Sequence, residues 1–139
     1  MTVGHTREKR TLYYPSTEFN PEDWLRFVQF HAFLTGWQEL RLGDDDLRAL
    51  EMLIMLAPKR APVVKGTGGL RKIRFAPKAW NAGKSGACRI GYVYFEAHAI
   101  VLLLIAYSKD VQDDLSPKEK KAIATLIADV ERRLAKRGG

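Results

Sequence analysis

Apolar and polar positions alternate along this chain with two different periods, and the change of period marks its elements. Over Leu70–Ala76 the period is two, with Lys72 and Arg74 on one face and Ile73 and Phe75 on the other, which predicts a half-buried strand. Cys88–Phe95 follows the same rule, with Arg89 opposite Ile90, Tyr92 and Tyr94. Ile100–Tyr107 is apolar almost throughout, the pattern of a central strand covered on both faces. The connections are short: a loop over Trp80–Ala87 with Gly83 and Gly86, then a turn at Ala97 and His98. Three such strands in succession predict an antiparallel meander. Upstream, Trp24–Phe33 is aromatic and β-branched, which predicts a first strand running into a short helix through Leu40.

Two segments carry the helical period. Asp44, Asp45 and Asp46 supply N-cap and first-turn charges for a helix whose stripe is Leu47, Leu50, Leu53, Ile54 and Ala57, ended by Pro58. Ser116-Pro117-Lys118-Glu119 is an N-cap, a proline at the first helical position and a capping-box glutamate, followed by the stripe Ile123, Leu126, Ile127, Val130, Leu134. Lys65-Gly-Thr-Gly-Gly69 reads as a flexible turn. The order is β-α-α-β-β-β-α, an α+β fold in which a small, antiparallel-rich four-stranded sheet packs with helices. Residues 1–23 are polar, contain Pro15 and Pro21, and show no sustained period. They are expected to be an N-terminal extension, mobile or loosely docked, ahead of a single domain over 24–139.

Charge changes this picture more than composition does. The chain has 139 residues, 23 Lys+Arg against 16 Asp+Glu, and a formal charge of +7. From Met52 to Phe95 there are nine basic residues and no acidic one, so this block alone is +9 and the remainder is −2. A local block of one sign on strand-like and glycine-rich sequence is the footprint of an anion site, and nucleic-acid backbones are the obvious macromolecular anion. The competing reading is a solvated basic face that only confers solubility. The single cysteine, Cys88, excludes an internal disulfide, and no apolar run follows the basic residues of the N-terminus, so the cytoplasm is the expected compartment. The longest apolar run, Ala99–Tyr107, has nine residues. A membrane helix needs ~20, so no membrane association is expected.

Several chemistries fail on spacing. Gly83-Lys84-Ser85 copies the tail of a phosphate-binding P-loop, but the first required glycine falls on Lys78. His5, His31 and His98 are scattered and have no second cysteine to complete a zinc site. No paired carboxylates or serine triad stand out. What remains is a group of cations, Lys72, Arg74 and Arg89, brought side by side if the strands form a meander. Such crowding costs stability unless an anion is present. Cleavage of RNA without a metal requires only removal of a proton from a 2′-hydroxyl, charge stabilisation at phosphorus and protonation of the 5′-oxygen, and Lys and Arg can supply these in principle. A non-catalytic phosphate-binding face would use the same residue types.

Four segments, in this order, carry a resemblance: Gly66-Thr-Gly-Gly-Leu-Arg-Lys-Ile-Arg-Phe75, Gly83-Lys-Ser-Gly-Ala-Cys-Arg-Ile90 with Tyr92-Val-Tyr-Phe95, Leu103-Leu-Ile-Ala-Tyr-Ser-Lys109, and Asp114-Leu-Ser-Pro-Lys-Glu-Lys120. Together they resemble the RelE/HigB-type toxins of bacterial type II toxin–antitoxin systems, over about Trp24–Leu134. The resemblance implies a ribosome-dependent, metal-free endoribonuclease that needs no cofactor. It would cleave mRNA by 2′-hydroxyl attack and be neutralised by a cognate antitoxin, commonly a helix-turn-helix protein. Carried over by position, the catalytic set is Lys72, Arg74, Arg89 and Lys109, with the general base left open between Lys72, Lys109 and another group. Beside it, Trp80 in the glycine-flanked loop is the candidate for base stacking, and Lys84 and Arg71 of the basic block are the candidate RNA contacts. The family's C-terminal tyrosine has no counterpart near Leu115 and Ser116; Tyr94 or Tyr107 is the substitute to consider. Alternatives of the same fold are a gyrase-inhibiting ParE-type toxin and a plain RNA-binding module.

Overall fold

Four strands form one mixed sheet in the order β1-β4-β3-β2, where β1 is Arg26–Gln29, β2 Arg71–Phe75, β3 Cys88–Phe95 and β4 Ile100–Ser108. The computed structural model describes residues 25–80, 87–109 and 114–138, so the expected extension over 1–23 and the P-loop-like Gly83-Lys84-Ser85 lie outside the described residues. Strands β2, β3 and β4 are the expected antiparallel meander, and β1 adds parallel to β4. Helices α1 (His31–Glu39) and α2 (Asp44–Leu56) follow β1, and α3 (Pro117–Gly138) follows β4. The α+β order expected from the sequence is the order observed.

The apolar run of β4 is explained by two cores. On one face of the sheet, α1 and α2 bury Phe33, Trp37, Leu47, Leu50 and Ile54 against Phe27, Phe75, Ile90, Tyr92 and Leu103. On the other, Val93, Phe95, Leu102 and Leu104 meet Ile127 and Leu115, with Ile123, Leu126 and Val130 of α3 half-buried over them. Val101 to Leu104 are therefore all buried, alternately toward one core and the other. Where α1 crosses β4 the approach is close enough to require glycine. A Cβ on Gly36 would collide with the Ala106 backbone, whose carbonyl carbon would lie 2.9 Å away.

Several boundaries differ from expectation for local reasons. The first strand is short, since the chain turns at Phe30 and α1 begins at His31 without a side-chain cap. Helix α2 is capped by Gly43, whose N–H donates to Asp46 Oδ2 at 3.0 Å, so all three aspartates sit in the first turn and none is the cap. Leu53 is 37% exposed, while Met55 and Glu51 are buried in its stead. Helix α3 matches: Ser116 N–H donates to Glu119 Oε1 at 2.8 Å, and Glu119 N–H to Ser116 Oγ at 3.1 Å.

The Gly66–Gly69 turn is a built element rather than a flexible one. Thr67 is fully buried, donating from Oγ1 to Val64 O at 2.7 Å and accepting from Leu70 N–H at 3.0 Å. Gly66 (φ 86°) and Gly68 (φ 78°) occupy the left-handed region, with Gly68 seated against Ala124 of α3. This turn sets the entry of β2, and thereby the height of Lys72 and Arg74 on the sheet.

Candidate functional site

Cross-strand register places the cations. Arg74 lies opposite Arg89, and Arg89 opposite Tyr107, so these three share one row across β2, β3 and β4. Two residues along β2, Lys72 lies opposite Gly91 and Gly91 opposite Ile105. Ile105 belongs to the core under α3, which puts both rows on the α3 side of the sheet. Gly91 leaves the room that the Ile105 side chain fills, since a Cβ there would sit 2.7 Å from Ile105 Cγ1. The cations thus project beside the chain that leads into α3 rather than beneath the helix.

There they line an open cavity of about 660 Å³. Its walls are five cations, Arg60, Lys72, Arg74, Arg89 and Lys109, with Ala61, Pro62 and Ile73 between them; no acidic side chain is among the described lining residues. Two cations are constrained. Lys72 Nζ lies 3.3 Å from Asp114 Oδ1, an ion pair to the exposed carboxylate just ahead of α3. Arg89 is only 6% exposed, and among the described residues its one hydrogen-bond partner is Ala87 O, 3.5 Å from Nη1. A guanidinium cannot shed its proton, so a buried one is stable only where acceptors or a bound anion complete its shell. Arg74 and Lys109 are exposed. Five cations around one open cavity are chemically suited to a multiply charged anion and to negative charge developing on it.

The four residues expected as catalytic are therefore brought together. Two of the three expected RNA contacts, Arg71 and Trp80, are not among the residues lining the cavity. Arg71 turns its guanidinium onto the backbone, Nη1 donating to Lys59 O at 2.9 Å and to Ala61 O at 2.7 Å. Trp80 closes the 3-10 turn Lys78–Trp80 and is half-buried against the α1/α2 core, away from the cavity lining. Lys84 lies outside the described residues. Of the two candidate tyrosines, Tyr94 packs toward the α1/α2 core, whereas Tyr107 shares the row of Arg89 and Arg74.

One lining cation, Arg60, is singled out neither by strand alternation nor by the resemblance. Arg60 stands between Pro58 and Pro62 in the loop from α2 to β2, and the only signal for it is that pair of prolines inside the acid-free block. Cys88 is fully buried on the opposite face, where its Sγ donates to Phe75 O at 3.4 Å. Burial pushes its thiol up to about 11, so it is no nucleophile near neutral pH. Among the described residues, no group of three or more His, Cys, Asp or Glu could hold a metal ion, and no helix is long and apolar enough to cross a membrane.

No protein-family model matches the chain. Among solved structures, an arginine-substituted mutant of the E. coli toxin RelE in the free state is similar at a TM-score of 0.45 and 15% identity, the match covering 65% of this chain and 87% of that one.

Proposed function

We propose that this chain is the toxin of a toxin–antitoxin module, a ribosome-dependent endoribonuclease that holds mRNA at the basic cavity and cleaves it without a metal. The observation that carries the reading is the convergence of Lys72, Arg74, Arg89 and Lys109 with Arg60 on one cavity, four of them singled out by the sequence pattern and its resemblance to RelE/HigB-type toxins.

In the proposed reaction the RNA 2′-oxygen loses its proton to a base and attacks the adjacent phosphorus. The bond from phosphorus to the 5′-oxygen breaks, leaving a 2′,3′-cyclic phosphate, and an acid protonates the departing 5′-oxygen. Arginine is protonated throughout, so Arg74 and Arg89 hold the phosphate and the extra charge of the five-coordinate transition state. The lysines, which can exchange protons, are the candidates for acid and base: Lys72 from β2 and Lys109 just beyond β4. Tyr107 shares the row of Arg89 but lines a separate hollow with Leu115, Glu119 and Ile123, so no aromatic side chain is among the described residues lining the basic cavity. The proposed partners are the ribosome, mRNA and a cognate antitoxin that masks the cavity.

The test is controlled expression of the wild type and of Lys72→Ala/Arg89→Ala, with 5′ ends mapped on cellular mRNA. New in-frame ends with the wild type alone support the reading. Growth arrest with intact mRNA and accumulating DNA damage overturns it in favour of a gyrase-directed toxin.

A further inference from the structure

The loop from α2 to β2 is held more tightly than a connection needs to be. Four of its five carbonyls from Pro58 to Pro62 are bound. Tyr92 Oη donates to Pro58 O at 2.8 Å, Arg71 Nη1 to Lys59 O at 2.9 Å and Ala61 O at 2.7 Å, and Lys72 N–H to Pro62 O at 3.2 Å. Arg60 N–H itself donates to Ala57 O at 3.1 Å, and the two prolines fix φ at both ends. Tyr92 is fully buried and reaches the loop from β3; burial holds its hydroxyl above the ordinary tyrosine range, so it stays a donor.

The two cations of this loop have different fates. Lys59 Nζ pairs with Glu96 Oε1 at 3.0 Å. Arg60 instead lines the 660 Å³ cavity, whose described walls carry no acidic side chain. A surface loop would ordinarily leave such an arginine free to sample many rotamers and backbone states. Anchoring the backbone on either side of it removes much of that freedom before any ligand arrives, which is how a site lowers the cost of binding.

We propose that Arg60 is a further phosphate contact of the RNA site, beside Arg74 and Arg89, and that Arg71 is the positioning residue that aims it. The proposal rests on the RNA-binding reading above and extends it, since it takes Arg71 out of contact with RNA and assigns that contact to the neighbouring loop. Strand alternation agrees: Arg71 precedes Lys72 on β2 and so faces the other way.

The experiment measures binding of the full chain to a single-stranded RNA carrying 2′-O-methyl groups, which cannot be cleaved, across a range of salt concentrations. Each phosphate contact contributes about 0.7 to the slope of log affinity against log salt. Arg60→Gln is expected to lower the slope by ~0.7. Arg71→Met should lower it equally, Arg71→Lys should retain it, and Arg60→Gln/Arg71→Met should lose no more than Arg60→Gln alone. An unchanged slope in Arg60→Gln overturns the contact, and additive losses in the double variant overturn the positioning role by making Arg71 a contact itself. If Arg71→Met does not fold, Tyr92→Phe releases Pro58 with no change of charge. A lower slope then supports the proposal and an unchanged one refutes it. Absence of salt-dependent binding by the wild type would instead bring down the RNA-binding reading on which the proposal stands.

Discussion

Replacing Arg89 with methionine should abolish function and at the same time make the free protein more stable. Arg89 is 6% exposed, makes among the described residues one 3.5 Å bond to Ala87 O, and lies opposite Arg74 in the strand pair. Relief of a like-charged cross-strand pair contributes ~0.2–1 kcal/mol. Exchange of buried ionic groups for apolar ones of similar volume gains about 1–4 kcal/mol in the favourable cases. Against this stands, among the described residues, one long hydrogen bond from a charged donor, which contributes about 1.5 kcal/mol at the low end of its class. Methionine keeps the unbranched aliphatic stem of the arginine, so packing on that face of β3 is largely conserved. The expected balance is a gain of about 1–3 kcal/mol for Arg89→Met.

Urea denaturation followed by far-ultraviolet circular dichroism measures this directly. The midpoint should rise by roughly 0.5–1.5 M with an unchanged slope, taking a slope of about 2 kcal/mol/M for a small protein. Added inorganic phosphate should raise the midpoint of the wild type more than that of the variant, because only the wild type keeps the full anion shell. A variant less stable than the wild type by ~1 kcal/mol or more would refute the argument. It would mean that Arg89 is compensated in the free protein and is there for the fold.

Asp114 pairs with Lys72 at 3.3 Å, so an arriving phosphate must compete with it; Asp114→Asn should bind RNA up to about five-fold more tightly, the ceiling set by the ~1 kcal/mol worth of an exposed pair. Weaker binding by Asp114→Asn in a titration at fixed salt would instead make the carboxylate part of the site. Stability should also fall in alkali. Burial raises the Cys88 thiol from 9.0 to about 11 and the Tyr92 hydroxyl above 10.0, so between these values the unfolded chain loses protons that the folded one keeps. The contribution is complete below pH ~9 and is lost as pH rises through the folded values, to a ceiling of about 3 kcal/mol for the thiol. Cys88→Ala should flatten that decline in urea titrations at successive pH values, and identical pH profiles for the two proteins would count against it.

What the sequence reveals about the site depends on which physical rule places each residue. Lys72, Arg74 and Arg89 are legible because strand alternation and an antiparallel meander are local rules, and together they force the three onto one face. The same alternation assigns Arg71 to the opposite face, yet its place in the basic block suggested an RNA contact. Its actual acceptors, Lys59 O and Ala61 O, are backbone atoms ten and twelve positions away that no side-chain pattern announces. Arg60 is hidden for the complementary reason, since its direction is decided by a loop whose carbonyls are held from β2 and β3. The fold divides in the same way. Helix α3 shows its start because Ser116, Pro117 and Glu119 cap it from within, whereas α1 has no side-chain cap and the short β1 runs straight into it. Local chemistry therefore announces the strands that carry the cations, and only tertiary contacts reveal the loop that supplies another. The hydrogen bonds that fix that loop come from the same two strands that present Lys72, Arg74 and Arg89, so a change in their register would displace both halves of the site at once.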